Sequence, residues 1–428
     1  MKQHGEGGAG FARRDRVLHC ENVPLPEIAA RFGTPTYVYS RRAIDSALRA
    51  YTDALGDRRA LVCYAMKADS NLAVLNLVAR AGCGFDIVSG GELVRAIAAG
   101  ADPSKIVFSG VGKSETEIEQ ALRAGILCFN VESTAELDLT QNVAARMQQR
   151  ARISVRVNPD VDARTHPYIA TGLNDNKFGV AYHDTLALYQ RAARMSHIAV
   201  VGIDCHIGSQ VTEVAPFVAA AERVLDLVDE LARVDIPLRH IDFGGGLGIR
   251  YHEESPPSIG EVIAALLART DARGHGDKMI LFEPGRSIVG NAGVLLTRVN
   301  LLKSTPGKNF AIVDAAMNDL LRPALYQAWM SVLEVAPSAV SNTAPVVRYD
   351  LVGPVCESGD WLARERDLAL AAGDLVAIAG AGAYGMAMAS NYNSRPRAAE
   401  IMVDGEQAFE VRRRETVTEL FAGESTLP

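Results

Sequence analysis

Residues 61–109 read LVCYAMKADSNLAVLNLVARAGCGFDIVSGGELVRAIAAGADPSKIVFS. Three short runs rich in β-branched and aromatic residues, Leu61–Ala65, Gly84–Val88 and Lys105–Ser109, alternate with two stretches whose apolar residues recur at helical spacing, Asn71–Ala81 and Glu92–Ala99. This predicts strand–helix units, with Gly82 and Gly100 closing the helices. Outward from this stretch the alternation continues through Leu127–Val131, Arg152–Val157, Val200–His206, His240–Phe243 and Met279–Glu283, with helical patterns over Glu115–Ala124 and Val218–Ala232. Eight such units in series predict an α/β fold built on a closed (β/α)8 barrel over residues 46–290, since open sheets rarely repeat the unit so regularly.

After Gly290 the pattern changes to strand-like segments without helical spacing between them: Val294–Leu302, Phe310–Val313, Val346–Val352, Leu375–Ile378 and Glu400–Val403. They predict a C-terminal all-β, barrel-like domain over residues 291–428. Residues 1–45 precede the first barrel unit and contain Tyr37-Val38-Tyr39, a short strand pattern expected to pack with the β domain. A length of 428 residues suits one large domain plus a smaller one.

Hydrophobic residues make up 48% and charged residues 22%, an ordinary globular balance, and the net charge is −7, which gives no electrostatic case for nucleic-acid or anionic-membrane binding. Small molecules and other protein chains are the expected partners. The six cysteines show no CxxC or metal-finger spacing, so a reducing cytoplasm without a metal site is expected. No apolar run is long enough to span a membrane, the N-terminus lacks a signal-peptide core, and the first dozen residues are expected to be mobile.

In a barrel of this kind chemistry sits where strands end, so the polar residues after each apolar run are the candidates. Lys67 follows the first strand, Asp86 lies in the second, and His206 ends the sixth, ahead of Ser209. Gly244, Gly245 and Gly246 follow the seventh, and Glu283-Pro284-Gly285-Arg286 the eighth. Taken singly, a lysine after a strand is more often solvated, a buried histidine is usually satisfied by neighbours, and a glycine run is weak evidence. Their convergence on one rim favours function. The glycines and the Gly285-Arg286 pair lie where such barrels bind phosphate, because side-chain-free backbone brings N–H donors close to an anion. A dinucleotide-binding reading of GGGLG competes, but it requires a doubly wound sheet, against the count of eight. A phosphate site, a rim lysine, a histidine able to cover a ring and an opposing carboxylate describe a pocket for pyridoxal phosphate (PLP), with Lys67 on the aldehyde as a Schiff base and Glu283 on the pyridine nitrogen.

The motifs Tyr64-Ala65-Met66-Lys67-Ala68, Cys205-His206-Ile207-Gly208-Ser209-Gln210, Gly244-Gly245-Gly246-Leu247-Gly248, Glu283-Pro284-Gly285-Arg286, Arg322-Pro323-Ala324-Leu325-Tyr326, Cys356-Glu357-Ser358-Gly359-Asp360 and Gly382-Ala383-Tyr384-Gly385 occur in that order. Jointly they resemble the signature set of the fold-type III PLP-dependent decarboxylases, over about residues 25–400. The resemblance implies an alanine-racemase-like TIM barrel carrying PLP, and a homodimer in which the β domain of one subunit completes the active site of the other. It implies that Lys67 carries the cofactor and His206 lies against its ring. Around phosphate and pyridine it places Ser209, Gly246 and the Glu283–Arg286 turn, with Tyr384 near the phosphate. Cys356 would protonate the carbanion left after CO2 departs, Arg286, Arg322, Tyr326, Glu357 and also Tyr384 would bind substrate, and Asp86 and Arg156 would support the cofactor. By themselves, Cys356 reads as a packing cysteine, Arg322 as a surface arginine and Tyr384 as a packing aromatic.

Two arginines in the implied substrate set suit a ligand with a second carboxylate, since a guanidinium pairs with carboxylate bidentately, and Glu357 suits a distal ammonium. A diamino diacid such as meso-2,6-diaminopimelate meets both demands. Its decarboxylation to L-lysine and CO2, the last step of lysine synthesis, is the expected activity. The alternatives are decarboxylation of ornithine, arginine or lysine, whose side chains leave Arg322 without a partner, an amino-acid racemase, which Glu283 opposes, and a non-catalytic PLP-binding protein, which the β domain opposes.

Overall fold

In a computed structural model of the chain, the described residues are 9–162 and 177–428. The start of the N-terminal stretch expected to be mobile, residues 1–8, lies outside them. The chain divides into two compact units, one formed by residues 47–249 and 255–287, the other by residues up to 46 together with 250–254 and 288–428.

Among the described residues, the first unit forms a barrel of eight parallel strands: β1 (Ala60–Ala65), β2 (Gly84–Ile87), β3 (Ile106–Phe108), β4 (Cys128–Val131), β5 (Ala151–Asn158), β6 (Ile198–Cys205), β7 (His240–Asp242) and β8 (Met279–Phe282), with a two-residue strand, Val180–Ala181, added in parallel to the end of β5. Each pairs with the next, and β8 pairs with β1 through Phe282 and Val62, which closes the ring. The predicted barrel is therefore present, and all eight predicted strands overlap observed ones. Small end shifts have local causes: Lys105, predicted as strand, belongs to a 3-10 turn begun by Pro103.

Serine caps set where four of the barrel's helices start. Ser89 accepts from Glu92 N, Ser133 accepts from Glu136 N, and Ser114 with Glu117 and Ser258 with Glu261 form reciprocal capping boxes. Helix Glu115–Ala124 turns Ile118, Ala121 and Leu122 inward and ends at Gly125 in the left-handed region. Inside the ring, Cys63, Val107, Cys128, Val201 and Leu281 pack together. Burying a side chain of valine or leucine size contributes about 1.5–3 kcal/mol, so this layer is what fills the barrel. No described helix is long and apolar enough to cross a membrane.

The second unit is built on a sheet ordered Trp361–Leu368, Val347–Val352, Asn309–Val313, Gly293–Ser304, Thr36–Ser40, Ala399–Asp404 and Gln407–Arg412. Val332–Glu334 joins through Leu375–Ala379, which pairs with Gly293–Ser304. Thr36–Ser40 thus lies in mid-sheet, antiparallel to Gly293–Ser304 and parallel to Ala399–Asp404. All five of its residues are buried, with Tyr37 donating to Asp319 O at 2.5 Å and Tyr39 to Glu400 Oε1 at 2.9 Å. An N-terminal three-stranded sheet, Phe11–Arg14, Val17–Cys20 and Val23–Pro24, contributes Phe11, Leu18 and Val23 to the same core as Val38 and Ile401.

Candidate active site

The C-terminal ends of the barrel strands gather the candidate residues of the first unit. Beyond β1, Met66 N donates to Asp86 O at 3.1 Å and Ala65 N to Pro284 O at 3.0 Å, which fixes the backbone that carries Lys67. Lys67 Nζ lies 2.6 Å from Asp86 Oδ2, the carboxylate fully buried and the lysine about a third exposed. Glu283, one residue past β8, is pinned by its N–H to Gly244 O at 2.7 Å. Its Oε1 accepts from Asn130 Nδ2 at 3.2 Å, and the same nitrogen donates to Ser109 Oγ at 3.1 Å. Burial, then the neighbouring Asp242, Asp86 and Asp204, push the Glu283 carboxyl well above the usual carboxylate range, with Lys67 opposing.

His206 is neutral near pH 7: burial, then the positive charges of Arg156 and Lys67, press its pKa well below the ordinary imidazole value. Gly245 N donates to its Nδ1 at 3.2 Å, so the ring proton sits on Nε2. Arg156 is held at 3.1 Å by Glu132 Oε1, which also accepts from Gly110 N at 2.7 Å, while Glu132 Oε2 accepts from Gly179 N at 3.0 Å. One buried carboxylate thereby ties three segments to the Arg156 guanidinium. Arg286, likewise buried, donates to Ser209 Oγ at 3.1 Å.

The glycine turn has to be glycine. A Cβ on Gly245 would lie 2.0 Å from Glu283 O, and one on Gly246 2.2 Å from Gly208 O, with Gly246 at φ +108°. The result is a turn without side chains beside a serine hydroxyl and an arginine, the donor chemistry of a phosphate cradle. Across the rim, Asp86 Oδ1, Asp204 Oδ1 and Asp242 Oδ2 are buried with no hydrogen-bond partner among the described residues. A lysine for an aldehyde, carboxyls for a ring nitrogen and a cradle for a phosphate fit PLP.

In the second unit, Arg322 is buried and not the surface arginine of its isolated reading. It opens the short helix Arg322–Tyr326, with Cζ 4.6 Å above the Tyr251 ring and Nη1 3.4 Å from Met330 Sδ. Cys356 is exposed, unlike the five other cysteines, and its N–H donates to Asn393 Oδ1 at 3.2 Å. Glu357 Oε1 accepts from Tyr392 Oη at 2.6 Å. Tyr384 is half-buried, at φ +55° between Gly382 and Gly385. Lys67, Asp86, Arg156, His206, Ser209, Gly244 to Gly246, Glu283, Gly285 and Arg286 belong to the first unit, and Arg322, Tyr326, Cys356, Glu357 and Tyr384 to the second.

Four residues of this site are absent from the sequence-based candidates: Asn130 and Glu132 at the end of β4, Asp204 on β6 and Asp242 on β7. Their signal was a polar residue inside or just after an apolar run, in CFNVE, GIDCH and HIDF. A carboxyl or amide placed there is costly unless it has work in the interior.

Residues 41–290 match the family described as pyridoxal-dependent decarboxylase, pyridoxal binding domain. The chain is 61% identical over 418 residues to the diaminopimelate decarboxylase of Pseudomonas aeruginosa, covering 98% of this chain and 99% of that one. It is 53% identical over 416 residues to that of Vibrio cholerae, covering 97% and 98%. Among solved structures, diaminopimelate decarboxylase from Helicobacter pylori complexed with L-lysine is similar with a TM-score of 0.88 and 42% identity, covering 93% of this chain and 98% of that one. The M. jannaschii enzyme in co-complex with L-lysine has a TM-score of 0.92 and 35% identity, covering 99% of each chain. With a family match over more than half its length and relatives this similar end to end, the chain belongs to the diaminopimelate decarboxylases, within the pyridoxal-dependent decarboxylase family.

Proposed function

We propose that this chain, with PLP as cofactor, decarboxylates meso-2,6-diaminopimelate to L-lysine and CO2. The observation that carries the reading is the Lys67 ammonium 2.6 Å from the buried Asp86 carboxylate, on the rim that also bears Glu283 and the glycine turn. When bound, PLP supplies a conjugated pyridinium that delocalises the charge left on an α-carbon when CO2 departs.

The chain's own residues have separable tasks. Lys67 binds the cofactor's aldehyde, and Asp86 orients the lysine. Glu283 holds the pyridine nitrogen in its charged form, while neutral His206 covers the ring without adding a competing charge. Ser209, Gly244 to Gly246, Gly285 and Arg286 hold phosphate, joined by Tyr384, and Arg156 supports the cofactor side through Glu132. Arg286, Arg322 and Tyr326 take substrate carboxylates, and Glu357 takes the distal ammonium. Cys356, an exposed free thiol, would protonate the α-carbon. A diacid substrate agrees with the buried Arg322: a guanidinium kept out of water gains most from a second charged carboxylate.

We further propose a homodimer in which Cys356, Glu357 and Tyr384 of one subunit complete the site of the other. A reducing cytoplasm suits six free cysteines. The test is CO2 release from the PLP-loaded protein with meso-diaminopimelate, LL-diaminopimelate, L-ornithine, L-arginine and L-lysine offered separately. Strong preference for meso-diaminopimelate, with lysine as product, is expected. Preference for ornithine or arginine would overturn the roles given to Arg322 and Glu357.

A further inference from the structure

Three carboxyl side chains on consecutive strands meet in the barrel interior: Asp204 on β6, Asp242 on β7 and Glu283 just past β8. One oxygen of each lies within 4.8 Å of the other two. Strand register enforces the meeting, since Asp204 pairs with Asp242 and Asp242 with Leu281 along parallel neighbours. Their exposures are 1%, 0% and 5%, so water solvates none of them. Part of the group is satisfied, with Asp242 Oδ1 accepting from Gly244 N at 2.8 Å and Glu283 Oε1 from Asn130. Among the described residues, Asp204 Oδ1 and Asp242 Oδ2 are buried without a hydrogen-bond partner.

The surrounding charges do not neutralise the three. Among the described residues, the cations acting on the group are Lys67 and Arg156, and each is already hydrogen-bonded to another carboxylate, Asp86 and Glu132. Asp86 on β2 adds a fourth acid facing the group. His206, just past β6, is neutral, and the thiols of Cys63 on β1, Cys128 on β4 and Cys205 on β6 are held protonated by burial and by these same acids. Tyr189, from the helix outside β5 and β6, is likewise kept protonated. Like charges this close and this dry cannot all ionise, and titrate as a set. Burial raises all three carboxyls; the charge of Asp242 adds to the rise in Asp204 and Glu283, while Asp242 itself is raised to about 7 by burial and Asp86 against a hydrogen bond with Glu283.

We infer that Asp204, Asp242 and Glu283 form one proton-sharing carboxyl unit, in which Asp204 and Asp242 are positioning residues that set how much negative charge Glu283 presents to the pyridine nitrogen of the cofactor. The inference rests on the reading above that Glu283 faces that nitrogen. The shared proton lies on an oxygen of the unit, and losing it to water as pH rises breaks one O–H bond and leaves one more carboxylate.

The test compares wild-type holoenzyme with Asp204→Asn, Asp242→Asn and Glu283→Gln. The first readout is the infrared C=O band of protonated carboxyl, identified by its shift in D2O and followed with pH. The second is the pH profile of the bound cofactor's absorbance. The wild type is expected to show the band at neutral pH and lose it under alkaline conditions. Each Asn variant should weaken the band and move the midpoint of the cofactor profile. A wild type without the band at neutral pH overturns the inference even if every variant misfolds, as do a band and profile unchanged in both Asn variants. If Glu283→Gln weakens the band yet leaves the cofactor absorbance unmoved, the pyridine role of Glu283 fails while the shared proton stands.

Discussion

Lys67 Nζ sits 2.6 Å from Asp86 Oδ2, joining the ends of two adjacent barrel strands through a carboxylate that no solvent reaches. Such a pair holds the amine in one place with little freedom, as attack on an aldehyde requires. Lys67→Ala is expected to abolish the cofactor's protein-bound absorbance and to lower CO2 release by about a thousandfold or more. Spectra and turnover of the same preparation check this, and retained activity would sink the assignment.

The glycine turn predicts a second outcome. A methyl group on Gly246 would meet the Gly208 carbonyl at 2.2 Å and strain a φ of +108°. The obstacle is a backbone carbonyl and not the end of a flexible side chain, so Gly246→Ala should cost about 2–4 kcal/mol and weaken PLP binding as well. Urea unfolding of the apoprotein and a PLP titration separate the two effects.

Acid stability should depend on His240, a β7 residue that packs where Gly202 of β6 has no Cβ. Burial lowers its pKa from 6.5 to about 4. The unfolded chain therefore takes up a proton near 6.5 and the folded chain only near 4. This part of the stability is complete above 6.5 and shrinks as pH falls toward 4, by about 3 kcal/mol for this group alone. Comparing unfolding free energies at neutral and acid pH for wild type and His240→Gln checks it: the variant should lose less on acidification.

Arg322→Lys keeps a positive charge but removes the planar fork, and a lysine also fits poorly over the Tyr251 ring. We expect kcat/KM for meso-diaminopimelate to fall roughly 10–100-fold, with PLP absorbance unchanged. A loss of PLP absorbance in step with activity would move Arg322 from substrate to cofactor or fold.

The proposed sharing of sites between subunits predicts complementation. Lys67→Ala and Cys356→Ala homodimers should each be nearly inactive, and the isolated heterodimer should regain CO2 release, because one of its sites then has both native residues. A verified heterodimer without activity would count against the shared site.

Much of the architecture was legible in the chain itself. Eight apolar runs, each followed by a helical period, specify a barrel because strand and helix periodicities are local properties of consecutive residues. The positions after those runs lead to Lys67, His206, Gly244 to Gly246 and Glu283, which the structure gathers on one rim. Less legible were Trp361–Leu368 and Gln407–Arg412, edge strands with many exposed polar residues and so no apolar alternation.

Closure of the ring and everything that follows from it belong to tertiary structure. Phe282 reaches Val62, and Asp204 stands level with Asp242 beside Glu283, only because the strand register is set around the whole barrel. Thr36–Ser40 finds its partners more than 250 residues away in Gly293–Ser304 and Ala399–Asp404. The sequence alone determined which segments are strands, which are helices and which residues lie at their ends. Which buried acids would meet, and so have to share a proton, was decided by packing, since the dielectric and the neighbours that shift a carboxyl exist only once distant strands lie side by side.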